Sequence, residues 1–148
     1  MFVIRSAQEE DVSSMHRLIL ELAEFEKAPG EVIATEQTLH LALFSPSPVA
    51  VAWVAEYDSK VIGMAICYLR YSTWKGTMLY LEDLIVTQSY RGKGMGKALL
   101  EQCFSYAREN KYPRVLWQVL DWNTPAIDFY KKYNAQFDAA WLNAWVDV

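Results

Sequence analysis

The sequence of 148 residues has no apolar run near the roughly 20 residues that a membrane-spanning helix requires. Its first residues, MFVIRSAQEEDV, contain no apolar signal core. It has only two cysteines, Cys67 and Cys103, and their spacing does not suit a metal site. We therefore expect both cysteines to pack in the core and predict no metal cofactor. These absences favour a cytoplasmic protein that does not enter a membrane.

An excess of positive charge is also missing. The formal net charge of −4 at pH 7 opposes binding to nucleic acid or to an anionic membrane, and it permits a cationic substrate. Apolar residues make up 53% of the chain, which is enough to build a packed core. The length suits one domain, and no linker or repeat divides the sequence. We therefore predict a single domain over residues 1–148.

Hydrophobic periodicity predicts an alternation of strands and helices. Apolar residues three and four apart indicate a first helix around Val12–Leu22, and Thr35 can cap a second. Two more helices are predicted over Gly96–Asn110 and Ala126–Tyr133. The predicted strands are Phe2–Arg5, Val49–Tyr57, Val61–Tyr71, Thr77–Val86, Arg114–Leu120 and a final pair within Ala135–Val148. The order β-α-α-β-β-β-α-β-α-β-β predicts an α/β protein with one mixed sheet, antiparallel in its first half and parallel in the middle.

A glycine-rich segment, RGKGMG from Arg91 to Gly96, follows the fourth predicted strand and opens the longest helix. Unpaired N–H groups and the positive end of a helix dipole bind phosphate well, and Arg91, Lys93 and Lys97 add positive charge. The spacing matches neither G-x-x-x-x-G-K-[ST] nor G-x-G-x-x-G, which excludes the two commonest nucleotide loops. Taken alone, the segment is equally compatible with a flexible surface turn.

Several further motifs occur in a fixed order around this segment. They are LAEFEK (22–27), YSTWKG (71–76), YLED (80–83), YRGKGMG (90–96) and VLDWN (119–123), followed by Tyr130-Lys131. With them the chain resembles the GNAT superfamily of N-acetyltransferases, and within it the spermidine/spermine acetyltransferase-like branch, over nearly its whole length. The resemblance implies the GNAT fold, acetyl-CoA as the acetyl donor and a homodimer.

The resemblance also implies which residues bind acetyl-CoA. The backbone of the strand that carries YLED would receive the acetyl carbonyl and the pantetheine arm, and the glycine loop would receive the pyrophosphate. The implied cofactor-binding residues are Leu84, Ile85, Val86, Arg91, Gly92, Lys93, Gly94, Met95, Gly96, Lys97, Asn123, Thr124, Pro125, Ala126 and Tyr130. For Asn123 a simple turn or helix cap is an equal alternative.

Acetyl transfer to an amine also requires a proton acceptor, because a lysine-like amine with a pKa of about 10.4 is charged at neutral pH. Glu82 is the candidate, since its apolar strand makes an unpartnered carboxylate costly unless it lies in a cleft. A structural ion pair is the alternative. Asp83 is expected on the opposite face of the strand, in a structural role. The resemblance implies Tyr130 as the general acid toward the coenzyme A thiolate, and a packing role is its alternative.

For the amine, Phe25 and Glu26 match an aromatic–acid pair that lines the amine site of the family, and with Glu82 they are the predicted substrate-binding residues. Ser72 stands where polyamine-acetylating members have aspartate, which disfavours spermine. We expect a small primary amine, such as thialysine, a lysine-like compound or a diamine, to attack acetyl-CoA directly in a ternary complex. The alternatives are acetylation of a protein lysine or N-terminus and a non-catalytic acetyl-CoA-binding module. The presence of both Glu82 and Tyr130 argues against the module.

Overall fold

A computed structural model describes all residues from 1 to 148. Its helices and strands are β1 (Phe2–Ser6), α1 (Val12–Phe25), α2 (Glu36–Phe44), β2 (Val51–Tyr57), β3 (Lys60–Ser72), β4 (Gly76–Val86), α3 (Met95–Glu109), β5 (Val115–Leu116) and α4 (Thr124–Lys131). The chain forms two compact units, Met1–Gln118 and Val119–Val148. No helix is both long and apolar enough to span a membrane. The single-domain organisation stays a prediction.

The first unit contains a five-stranded sheet in the order β1-β2-β3-β4-β5. The pairings from β1 to β4 are antiparallel, and β4 pairs with β5 in parallel. A parallel partner needs a crossover, and α3 supplies it. The predicted α/β class with a mixed sheet is therefore confirmed.

Helices cover both faces of this sheet. One buried cluster joins α1 and α2 to the strands, and its members are Met15, Leu18, Leu43, Ala52, Val54, Val61, Met64, Ile66 and Ile85. Cys67 follows Ile66 on β3 and points to the other face, because successive side chains of a strand alternate. There its Sγ lies 3.7 Å from the Sγ of Cys103 on α3. Both cysteines are free and buried, as the sequence predicts.

Two irregularities of β4 shape the sheet. Cys67 pairs with Leu81 and Ile66 pairs with Asp83, so Glu82 is an extra residue, that is, a β-bulge. On the other edge of β4, the ladder with β5 consists of two pairs and ends at Tyr80. Because β4 runs on to Val86, its last six residues, from Leu81 onward, are not paired with β5 and leave this edge of the strand open.

The second unit contains α4, which begins at Thr124, two residues before its predicted start at Ala126. Asn123 caps the helix by accepting a hydrogen bond at Oδ1 from the N–H of Ala126 at 3.4 Å, and Pro125 lies in the first turn. The predicted final pair of strands over 135–148 does not form, and β5 is also shorter than predicted. Alternating apolar residues extend a strand only where a partner backbone pairs with them, and the local pattern carries no information about that partner.

Candidate active site

The glycine-rich segment from Arg91 to Gly96 follows β4 and includes the start of α3. After Val86 the chain makes a single 3-10 turn over Gln88–Tyr90 and then enters α3, with Gly94 at the capping position. Gly92 and Gly94 have φ values of 77° and 86°, in the left-handed region that side chains rarely adopt. Glycine has no side chain to cap the first N–H groups of α3, so these groups face outward and are available to an anion.

The space above these glycines is open. A Cβ atom on Gly92 or Gly94 would have no heavy atom within 4 Å, so neither glycine is required by packing. Lys93 is exposed, and its Nζ lies 5.0 Å from the ring centroid of Tyr90. Backbone conformation, open space and nearby positive charge together favour a bound phosphate group over a simple surface turn.

Carboxyl and phenol groups gather beside the bulge of β4. Burial, aided by the charges of Glu82 and Glu26, raises the pKa of Asp83 to about 6. Glu26 stays exposed, yet partial burial and the charge of Glu82 raise its pKa as well. Burial and the charge of Glu82 also raise the pKa of Tyr68 and of Tyr80, whose ring centroids are 5.0 Å apart. The negative charge of Glu82 thus acts on all four groups.

The prediction that Asp83 faces away from Glu82 is wrong. Asp83 pairs with Ile66, which belongs to the buried cluster beneath α1, so Asp83 points toward α1. Glu82 is the extra residue of the bulge and does not follow the alternation of the strand. Two consecutive acids in an apolar strand are the feature of the sequence that indicates a bulge here, because regular alternation would bury one of the two carboxylates without a partner.

Asp83 makes folding stability depend on pH. Its folded pKa of about 6 lies above the ordinary value of 3.8, so between these values the folded state binds more protons than the unfolded state. The stability linked to Asp83 is complete below about pH 4 and is lost as the pH rises through about 6. At neutral pH the cluster therefore holds a carboxylate at a cost in stability, as functional sites commonly do.

The predicted cofactor-binding residues of β4 lie on its open edge. Ile85 and Val86 are buried and Leu84 is partly buried, so their side chains serve packing. The carbonyl of Val86 accepts a hydrogen bond from Nε of Arg91 at 2.8 Å, which ties the end of β4 to the glycine loop. The same guanidinium lies 5.0 Å from the ring centroid of Phe25. Phe25 therefore contacts the arginine of the glycine loop, a contact that the sequence did not predict.

The remaining predicted residues lie in the second unit. Asn123 caps α4, so the turn-and-cap alternative describes its contact in this structure. Tyr130 is 8% exposed, and its ring centroid lies 5.4 Å from that of Phe129. Thr124, Pro125 and Ala126 form the first turn of α4.

The first unit also has two cavities, of about 600 and 620 Å³. The first is lined mainly by residues of β1, α1 and the start of β3, and also by Thr87 and Tyr90, which lie between β4 and the glycine loop. The second is lined mainly by residues around the end of α2 and the start of β2, and also by Tyr68, Leu69 and Tyr106. Neither is lined by Glu26, Glu82 or the glycines of the loop. The two glutamates and the glycines of the loop therefore lie outside both cavities.

Known proteins are similar to this chain in sequence and in fold. Thialysine N-epsilon-acetyltransferase of Bos taurus is 38% identical over 142 residues, which covers 90% of this chain and 84% of that protein. L-ornithine N5-acetyltransferase of Arabidopsis thaliana is 28% identical, over 93% of this chain and 81% of that protein. The structure of an aminoglycoside acetyltransferase from an uncultured soil metagenomic sample, in complex with sisomicin, matches with a TM-score of 0.80 at 18% identity. That match covers 99% of this chain and 96% of the other.

The mixed sheet, covered by helices on both faces, therefore has the same fold as a known acetyltransferase structure. The model of the acetyltransferase (GNAT) family matches residues 13–135, and the chain belongs to that family. The protein is an N-acetyltransferase, which moves an acetyl group to an amine. The predicted membership, fold and enzyme class are confirmed.

Proposed function

We propose that the protein transfers the acetyl group of acetyl-CoA to the primary amine of a small cationic substrate, such as thialysine, a lysine-like compound or a diamine. The observation that carries this proposal is the cluster of Glu26, Glu82 and Asp83 at the bulge of β4. Three carboxyl groups suit a compact ammonium-bearing substrate. The similar enzymes of Bos taurus and Arabidopsis thaliana are named for thialysine and ornithine, respectively. These enzyme names support a basic amino acid as the acetyl acceptor.

Acetyl-CoA is the proposed donor. The N–H groups at the start of α3 would bind its pyrophosphate, and Arg91, Lys93 and Lys97 would supply positive charge. The open edge of β4 at Leu84–Val86 would receive the pantetheine arm and the acetyl carbonyl. Further contacts are assigned by family resemblance to Asn123, Thr124, Pro125, Ala126 and Tyr130.

The proposed reaction is direct attack in a ternary complex. Glu82 accepts a proton from the substrate ammonium, directly or through water, and frees the nitrogen lone pair. The nitrogen attacks the thioester carbonyl, so a C–N bond forms and the C–S bond breaks. Tyr130 donates its phenolic proton to the departing thiolate, and the second proton of the attacking nitrogen passes through water to restore the phenol, so that the amide, coenzyme A and a protonated Glu82 remain.

Ser72 supports a short substrate. Its hydroxyl accepts hydrogen bonds from the backbone N–H groups of Trp74 and Lys75, each at 3.1 Å, and closes the β3–β4 turn without adding charge.

Beyond the sheet this hairpin exposes Tyr71 and Trp74, and such apolar surface supports the proposed homodimer. The net negative charge supports a protein that binds neither nucleic acid nor an anionic membrane, and a cytoplasmic location is proposed with it.

Replacing Gly94 with alanine should weaken acetyl-CoA binding by at least about tenfold, because φ is 86° there and a Cβ strains the loop. Isothermal titration with acetyl-CoA measures the change. Gly30→Ala is the matched control, since a Cβ atom on Gly30 would also have no heavy atom within 4 Å but Gly30 has no positive φ. Equal affinities of the two variants would refute the assignment of the loop.

The amine is tested by following coenzyme A release from acetyl-CoA across a panel. We expect the highest kcat/KM with thialysine, lysine, ornithine or a short diamine, and at least about tenfold lower values with spermine and with a lysine peptide. A peptide as the best substrate would establish protein acetylation instead. Tight acetyl-CoA binding without turnover of any amine would establish the non-catalytic module.

A further inference from the structure

The start of the phosphate-binding segment is held from α1. The carboxylate of Glu21 accepts two hydrogen bonds, from the hydroxyl of Thr87 at 3.0 Å and from the backbone N–H of Gln88 at 3.1 Å. These two residues lead directly from β4 into the glycine loop. A carboxylate that accepts two hydrogen bonds fixes both donors, and such charge-assisted bonds are stronger than neutral ones.

A second contact joins the same helix to the same segment. Phe25 lies four residues after Glu21, and residues at i and i+4 occupy the same face of a helix. Its ring lies 5.0 Å from Cζ of Arg91, within the range of a cation–π interaction. One face of α1 therefore holds both the beginning of the segment and its arginine.

Arg91 is also held from the sheet. Its Nε donates to the carbonyl of Val86 at 2.8 Å, so the guanidinium is fixed between the end of β4 and the ring of Phe25. The segment between Val86 and Gly94 is thus anchored at its first two residues and at its arginine. A Cβ atom on either Gly92 or Gly94 would meet no heavy atom within 4 Å, so the loop has open space beyond its arginine.

We propose that Glu21 is a positioning residue for acetyl-CoA: with Phe25 it braces the phosphate-binding loop in the conformation that binds the pyrophosphate. The proposal rests on the proposed function of this loop. Phe25 precedes Glu26 of the acid cluster, so the brace also links the cofactor loop to the amine site. Cofactor affinity falls in proportion to the fraction of loops in the binding conformation, so losing the brace weakens it directly.

The test is isothermal titration of the full chain with coenzyme A, which does not depend on any acetyl transfer. We expect Glu21→Ala to raise the Kd about tenfold, and Thr87→Val and Glu21→Gln to raise it less, because each keeps part of the hydrogen bonding. Glu24→Ala is the matched control, an exposed glutamate on the same helix. Its Kd should stay within about twofold of that of the unchanged protein.

A second readout separates positioning from general loss of structure. S-acetylpantetheine lacks the pyrophosphate, so Glu21→Ala should lower kcat/KM for acetyl-CoA about tenfold and leave kcat/KM for S-acetylpantetheine unchanged. Unchanged coenzyme A affinity in Glu21→Ala, or an equal loss in Glu24→Ala, would overturn the brace. If Glu21→Ala does not fold, Glu21→Gln and Thr87→Val decide by the same criteria. If the protein binds coenzyme A but acetylates no amine, the proposed function is refuted. The role of Glu21 is then still decided by the coenzyme A titration, which does not depend on acetyl transfer.

Discussion

Glu82→Gln is expected to lower kcat for the preferred amine about 100-fold at pH 7, within the range that general acid–base catalysis contributes. Glutamine keeps the shape of the side chain and removes its ability to accept the ammonium proton. The rate of the variant should rise steeply as the pH approaches the amine pKa of about 10.4, because solution then supplies the neutral amine. Initial rates of coenzyme A release at saturating amine, measured between pH 6 and pH 10, test both expectations.

Glu109→Gln provides the control for this substitution, because Glu109 is an exposed acid at the end of α3. It should leave the rate and its pH dependence unchanged. If Glu82→Gln also had an unchanged pH profile and an unchanged amine KM, Glu82 would be neither the proton acceptor nor a substrate ligand.

The same substitution has a second consequence, which reports on folding. The charge of Glu82 helps to raise the pKa of Asp83 and of Glu26, so its removal lets both pKa values fall toward their ordinary range. The Tm of the unchanged protein should therefore fall more than that of Glu82→Gln as the pH rises from about 4 to 7. Lost activity in a variant that is no less stable at neutral pH cannot be attributed to unfolding.

The sequence predicts those features that depend on local pattern. Gly92 and Gly94 indicate a turn with left-handed backbone conformation before a helix, and apolar periodicity predicts the helices themselves. The bulge at Glu82 depends on how β3 and β4 pair, which no short segment specifies, so strict alternation misplaced Asp83. The contacts of Glu21 with Thr87 and Gln88 join residues that are 66 and 67 positions apart, and no local pattern predicts them.

Tyr130→Phe is expected to lower kcat about 100-fold while leaving the Kd for acetyl-CoA within about twofold. Phenylalanine retains the buried ring beside Phe129 and removes only the hydroxyl, so the packing of α4 is preserved. Without a proton donor the thiolate must leave uncompensated, which raises the barrier to breaking the C–S bond. Single-turnover rates together with acetyl-CoA titration separate the chemical step from binding.

Tyr133→Phe is the matched control for this substitution. The ring centroid of Tyr133 lies 5.6 Å from that of Phe129, so Tyr133→Phe removes a hydroxyl from the same aromatic cluster of the second unit. If Tyr130 is the acid, only Tyr130→Phe loses the chemical step. If both variants retain kcat, the thiolate is protonated by water and Tyr130 serves packing alone. Equal losses in both would instead show that kcat follows the integrity of the cluster, because two hydroxyls cannot both be the single donor to one sulfur.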